Sequence, residues 1–181
     1  MANVILGLLL IRAMSQYDLV KAFEAGVSLF YSASSGSIKR ALDGLLERGL
    51  VEIASQEEGG RGRKTYRVTA IGEAAFREWM LGDLVGGDME AAALSRLYFL
   101  GHLPAAERPV VLERIQARIE SGLAQLERLE AQVAAVDVPD ELRDLAVYQR
   151  ATLAYGLASH RFALDWFTQM HDEVGSREIT S

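Results

Sequence analysis

The sequence predicts a mainly α-helical protein with one small β-hairpin in its first half. Three observations predict it. Apolar residues recur at helical spacing over most of the 181 residues. Only Leu50-Val51-Glu52-Ile53 and Thr65-Tyr66-Arg67-Val68-Thr69 have the character of strands, and a glycine-rich cationic loop separates them. The second half carries a near-heptad apolar stripe broken only by Pro139.

The elements follow in order. A helix is expected over 3–12. Ser15 caps a second over 16–25, with Asp18 three residues on and Leu19, Val20 and Phe23 on one face. Gly26 stops it. Ser34 or Ser35 caps a third helix to about residue 48, where Ile38, Ala41, Leu42 and Leu45 form the apolar stripe and Gly49 ends it. The two strands come next, then a fourth helix over 70–81 with Ala74, Ala75 and Trp79 available for packing. Three helices, a hairpin and a helix make a winged helix-turn-helix.

Three glycines and two acids over 82–88 mark a linker. Beyond it the chain is helical over 89–101, 107–136 and 140–172. The long helix carries Leu112, Ile115, Ile119, Leu123, Leu126, Leu129, Val133 and Val136. The expected organisation is a winged helix-turn-helix DNA-binding domain at 1–81, the linker, an all-α, coiled-coil-like dimerisation domain at 89–173 with room for an effector, and a flexible tail at 174–181.

Composition narrows the function. Half the residues are hydrophobic, enough for a packed core and against wholesale disorder. There is no cysteine, so disulfides, thiolate zinc sites, iron–sulfur clusters and cysteine nucleophiles are excluded, in keeping with a reducing cytoplasm. The apolar run Val4-Ile5-Leu6-Gly7-Leu8-Leu9-Leu10-Ile11 lacks preceding basic residues and a cleavage site. It also falls well short of the roughly 20 residues of a membrane span. His102, His160 and His171 share no metal-ligand spacing, and no nucleophile elbow or phosphate loop is present. We therefore expect no catalytic residue, no metal and no cofactor.

The net charge of −6 is uneven. Residues 1–80 hold ten Lys/Arg against nine Asp/Glu, net +1, and residues 81–181 are net −7. Whole-surface attraction to polyanions is thereby disfavoured, and a DNA contact confined to one face of the first half is not. Gly59-Gly60-Arg61-Gly62-Arg63-Lys64 alternates glycine with fixed positive charge, suited to close approach to phosphates. Arg67 alternates outward between Tyr66 and Val68. On the third helix, Ser34, Ser35 and Ser37 and then Lys39 and Arg40 occupy the N-terminal turns, the end that enters a major groove. Asp43 and Glu47 come later, away from the DNA backbone. Each feature alone also fits a solvated surface.

These residues together resemble the PadR family of bacterial transcriptional regulators. The resemblance runs through Ile5-Leu6-Gly7-Leu8-Leu9, Tyr17-Asp18-Leu19, Ser35-Gly36-Ser37-Ile38, Gly49-Leu50-Val51, the glycine-arginine loop, Tyr66-Arg67-Val68-Thr69 and Gly72. Leu97-Tyr98-Phe99-Leu100 and the paired long helices are similar to the virulence-activator-like C-terminal domain of the larger subfamily. Lys39 stands where that family usually has tyrosine, Thr65 where an aromatic is common, and Gln16 where glycine is frequent.

The resemblance implies a homodimer, usually a repressor on a pseudo-palindromic operator in double-stranded DNA, released in many members by a small molecule. The candidate DNA contacts are Gln16, Tyr17, Ser34, Ser35, Ser37, Lys39, Arg40, Arg61, Arg63, Lys64 and Arg67. The candidate dimer residues are Leu6, Leu9 and Leu10 of the first helix, which the resemblance adds, with Ile119, Leu123, Leu126, Leu153, Leu157, Phe162 and Trp166. Trp79, Tyr98, Phe99 and Tyr155 are candidates for a pocket taking a small apolar or aromatic effector, although aromatics at helical spacing are more often core. The competing expectation is a winged-helix module that binds protein and no DNA.

Overall fold

The computed structural model describes residues 1–56 and 63–179, the last three as backbone alone. Among the described residues, seven helices and three strands follow as α1 (Ala2–Ile11), β1 (Met14–Ser15), α2 (Gln16–Ala25), α3 (Ser35–Glu47), β2 (Val51–Gln56), β3 (Lys64–Val68), α4 (Ala70–Leu81), α5 (Met89–Tyr98), α6 (Arg108–Ala134) and α7 (Arg143–Ile179), with short 3-10 turns between some of them. The fold is mostly helical with a small antiparallel sheet, as the apolar periods predict.

The chain forms two compact units, residues 1–111 and 112–181. The sequence places a boundary at 82–88, yet packing keeps 89–111 with the first unit. The reason is side-chain burial. Phe99 lies edge-on to Phe76 and stacks on His102. A side chain at Gly7 of α1 would meet the Phe99 ring at 2.8 Å. Arg77 of α4 also pairs with Glu107.

In the first unit, Ile5, Leu6, Leu19, Ile38, Leu42, Leu45, Phe76 and Met80 are fully buried. Burial of a side chain of this size stabilises by about 1.5–3 kcal/mol, so these positions hold the four helices α1–α4 together. The sheet order is β1-β3-β2. The two-residue β1 is a strand the sequence reading did not anticipate, being too short to alternate. It pairs Met14 with Tyr66 and Ser15 with Thr65. On the other side Val51 faces Val68, Glu52 faces Arg67 and Ile53 faces Tyr66. The register then shifts between Ile53 and Ser55, leaving Ala54 as the extra residue of a bulge.

A clasp joins α3, the sheet and α4. Gly49 turns the chain at φ 68°, the left-handed region that ends a helix. The Leu50 amide donates back to Leu45 O at 3.0 Å. The Thr69 amide donates to Leu50 O at 3.1 Å, and its hydroxyl donates to Gly49 O at 2.7 Å. The same hydroxyl caps α4 by accepting from the Gly72 amide. Gly72 passes so close beneath Leu50 that a Cβ there would lie 1.9 Å from the Leu50 carbonyl oxygen.

The second unit is an antiparallel hairpin of α6 and α7. Gln116 donates to Thr168, Arg161 pairs with Glu127, and a Cβ at Gly122 would meet His160 at 2.9 Å. Leu112, Ile115, Ile119, Leu157 and Phe167 are buried. The helix α7 extends to Ile179, past residue 174 where the sequence reading begins a tail. Nothing between 172 and 179 stops a helix outright: the stretch holds no proline, and Gly175 costs only about 1 kcal/mol relative to alanine.

Two glycines test the clasp. Gly72→Ala is expected to lower stability by about 1–3 kcal/mol through overpacking against Leu50. Gly44→Ala, where a Cβ meets nothing within 4 Å, is expected to raise it by about 0.5–1 kcal/mol. Urea denaturation of both variants checks the contrast; equal effects would remove the clasp from the account of the fold.

Candidate nucleic-acid interface

The start of α2 and the root of the hairpin are built on one residue. Ser15 ends β1 and caps α2, its hydroxyl accepting from the Asp18 amide at 3.2 Å. Asp18 answers by accepting from the Ser15 amide at 2.9 Å and the Ser15 hydroxyl at 2.7 Å. Arg63 donates to both Asp18 oxygens, at 2.8 and 2.6 Å. The Ser15 amide above all, then its hydroxyl and Arg63, hold the Asp18 carboxyl down at about 2. Ser15, Gln16, Tyr17, Arg63, Lys64 and Tyr66 line a shallow cleft of about 380 Å³ over this network.

The N-terminus of α3 closes on itself. The Ser34 hydroxyl accepts from the Ser37 amide at 3.1 Å, and the Ser37 hydroxyl donates to Ser34 O at 2.7 Å. Both side chains are therefore engaged in a capping box, and Ser35 is exposed beside it. Lys39 and Arg40 follow, both exposed. The Lys39 ammonium pairs with Asp43 at 2.6 Å one turn on. Asp43 is thus engaged with Lys39, whereas the charge order along the helix predicts an acid set apart from the DNA contacts. Burial raises the Tyr66 hydroxyl pKa and the Asp43 charge adds to it, with Lys39 opposing. The Lys39–Asp43 pair is thus within electrostatic range of Tyr66 on β3. On that strand Arg67 points outward and its Nε donates to Glu52 at 2.6 Å across the hairpin.

The candidate DNA contacts therefore gather on one unit. Gln16, Tyr17, Arg63 and Lys64 share a cleft, and Lys39 is exposed on α3 of the same unit. Arg61 lies outside the described residues. Among the described residues, Arg40 and Lys64 carry no ion pair, whereas Lys39, Arg63 and Arg67 each hold a carboxylate. Sequence reasoning missed these three acids. The (i, i+4) spacing of Lys39 and Asp43 was a legible signal. Asp18–Arg63 and Glu52–Arg67 exist only once the sheet has formed.

The other candidates separate. Leu6 and Leu9 are buried in the first unit's own core, and Leu10 is part-buried. Ile119 and Leu157 are buried, and Leu123, Leu126 and Leu153 are part-buried, on the α6–α7 hairpin. Phe162 and Trp166 remain exposed on α7. Of the pocket candidates, Phe99 is core, Tyr98 packs on Phe30, and Tyr155 is exposed in the second unit. Trp79 alone lines a cleft of about 530 Å³, in the first unit, with Phe30, Tyr31, Ser95 and Arg96. There the Arg96 guanidinium lies 4.7 Å from the Trp79 ring centre and donates to Ala92 O and Asp83 O.

The Transcriptional regulator PadR-like family profile matches residues 5–78, and the Virulence activator alpha C-term profile matches residues 92–174. Three solved structures are similar over nearly the whole chain. Bacillus subtilis PadR in complex with operator DNA is 19% identical, covering 95% of this chain and 96% of its own, with a TM-score of 0.42. A PadR-like transcriptional regulator from Bacillus cereus is 22% identical, covering 97% and 98%, at 0.40. The Vibrio cholerae virulence activator AphA is 23% identical, covering 97% and 98%, at 0.42. No curated protein is similar enough in sequence to count as a match.

Asp18 gives the interface an acid limit. A carboxyl held below its unfolded value contributes stability above about pH 4, and that contribution is lost as pH falls through its folded value of about 2. Asp18→Asn is expected to lower stability at pH 7 and to flatten the fall between pH 4 and 2. Denaturation midpoints across that range check it; parallel curves for the two proteins would show that the network contributes nothing.

Proposed function

This chain belongs to the PadR-like family of transcriptional regulators, with a virulence activator alpha C-terminal region, and we propose that it is a homodimeric repressor of a pseudo-palindromic operator. The family is one of regulators, not of enzymes. One observation carries the DNA reading: hairpin cations line one cleft with the start of α2, on the same unit as the exposed Lys39 and Arg40 of α3. In this reading α3 enters the major groove, Arg40 and Lys39 reach base edges, Lys64 and Arg63 meet phosphates, and Arg67 is directed at the groove from β3. Gln16 and Tyr17 flank the backbone, and Ser34, Ser35 and Ser37 approach it from the start of α3. The sign as a repressor rests on the sequence resemblance alone.

Two-fold operators call for a two-fold protein. What supports a dimer is the outer face of α7. Tyr148, Tyr155 and Phe162 recur every seven residues and are 74%, 75% and 71% exposed. Leu145 and Trp166 flank them on the same side. Rings exposed along roughly 27 Å of helix mark an interaction site rather than a solvated surface. We assign this stripe to a second copy of the chain, and the cleft at Trp79 to a small apolar or aromatic effector. Among the described residues no helix is long and apolar enough to cross a membrane, and we place the regulator in the cytoplasm with its DNA.

Gel-shift titration against a duplex recovered from a randomised pool and against random duplex tests the roles. Arg40→Ala is expected to cost about 1–3 kcal/mol on the recovered duplex and little on random duplex. Lys64→Ala is expected to weaken both and to reduce the log–log salt slope by about 0.9. Equal losses for Arg40→Ala would make it a phosphate contact, and no binding by the unaltered protein would leave the protein-binding module as the better reading. In sedimentation, Phe162→Asp is expected to give a monomer; a persisting dimer would remove the outer stripe of α7 from the interface.

A further inference from the structure

Three of the five described cations on the DNA face are held by carboxylates, at 2.6–2.8 Å. Asp18 also caps α2, so its role is structural as well. Asp43 and Glu52 have no such second duty among the described residues, and each lies one step from its cation: one helical turn in α3, one cross-strand register pair in the hairpin.

The geometry of each pair leaves donors to spare. An ammonium has three donors and a guanidinium five. Asp43 takes one donor of Lys39, and Glu52 takes Nε of Arg67 and leaves its Nη donors to spare. Each cation is thus oriented before DNA arrives, and orientation lowers the entropic cost of a directed contact. The carboxylate also cancels part of the charge that would otherwise attract any phosphate. The two effects favour a duplex that meets the cation where it points, and disfavour one that only supplies negative charge.

We propose that Asp43 and Glu52 are specificity-setting positioning residues, which aim Lys39 and Arg67 and hold down sequence-independent affinity. This rests on the regulator reading above. It assigns a use to Lys39, whose long flexible stem would otherwise make it an undirected point charge.

The test uses the full chain, a duplex recovered from a randomised pool by the unaltered protein, and a random duplex of equal length. Asp43→Asn and Glu52→Gln are each expected to tighten binding to random duplex by about two- to fivefold, the span of an exposed ion pair. Each should also steepen the salt slope by about 0.9. Neither should tighten binding to the recovered duplex, so the specificity ratio falls by the same factor. Asp43→Glu, which keeps the charge at the same spacing, should hold the original ratio. Equal tightening on both duplexes, or no change on either, would overturn the proposal. Failure of the unaltered protein to bind any duplex would overturn the regulator reading instead. Circular dichroism melts of each variant separate both outcomes from a folding defect.

Discussion

The first unit depends on the clasp between Gly49-Leu50 and Thr69–Gly72. Two hydrogen bonds from Thr69 and the side-chain-free surface of Gly72 bring the end of α3 against the start of α4. The hairpin leaves and returns at that same point. Its strands are short and mostly exposed, and β2 buries only Val51. A ribbon with so little core of its own takes its orientation from its base. The spatial relation between the α3 cations and the hairpin cations is therefore set by backbone contacts that carry no charge.

Electrostatics then acts on a frame already built. Exposed ion pairs such as Lys39–Asp43 and Arg67–Glu52 contribute little to stability. Their value lies in where the cations point and how much bare charge is displayed. Arg63 differs, because Asp18 also satisfies the start of α2 and is largely shielded. One guanidinium thus ties the hairpin to a helix cap.

Most of the helices were legible because their ends are chemically marked. Ser15 and Ser34 are caps, and Gly26 and Gly49 are stops. The apolar stripe of α3 named its buried face through Ile38, Leu42 and Leu45. The partner of a buried face was not legible. Leu6 and Leu9 suit an interchain seam as well as a core, and only packing assigns them to the core. Phe99 likewise suited a pocket until Gly7 and Phe76 closed around it. On α7 the reading mixed two faces, since Leu153 and Leu157 turn toward α6 while Tyr148, Tyr155 and Phe162 turn away. The role assigned to Arg61 falls outside the described residues.

The pairing of β1 with β3 has a further consequence. Met14 lies opposite Tyr66 and Ser15 opposite Thr65, and the next residue after Ser15 begins α2. Sliding β3 by a single residue would invert its faces. Tyr66 would turn outward, Arg67 would turn toward the core, and Arg63 would lose Asp18. Two short stretches of paired backbone thus serve as a ruler. They measure the hairpin's charges against the helices to within one residue, and an insertion between Lys64 and Val68 would leave every side chain present and the measurement wrong.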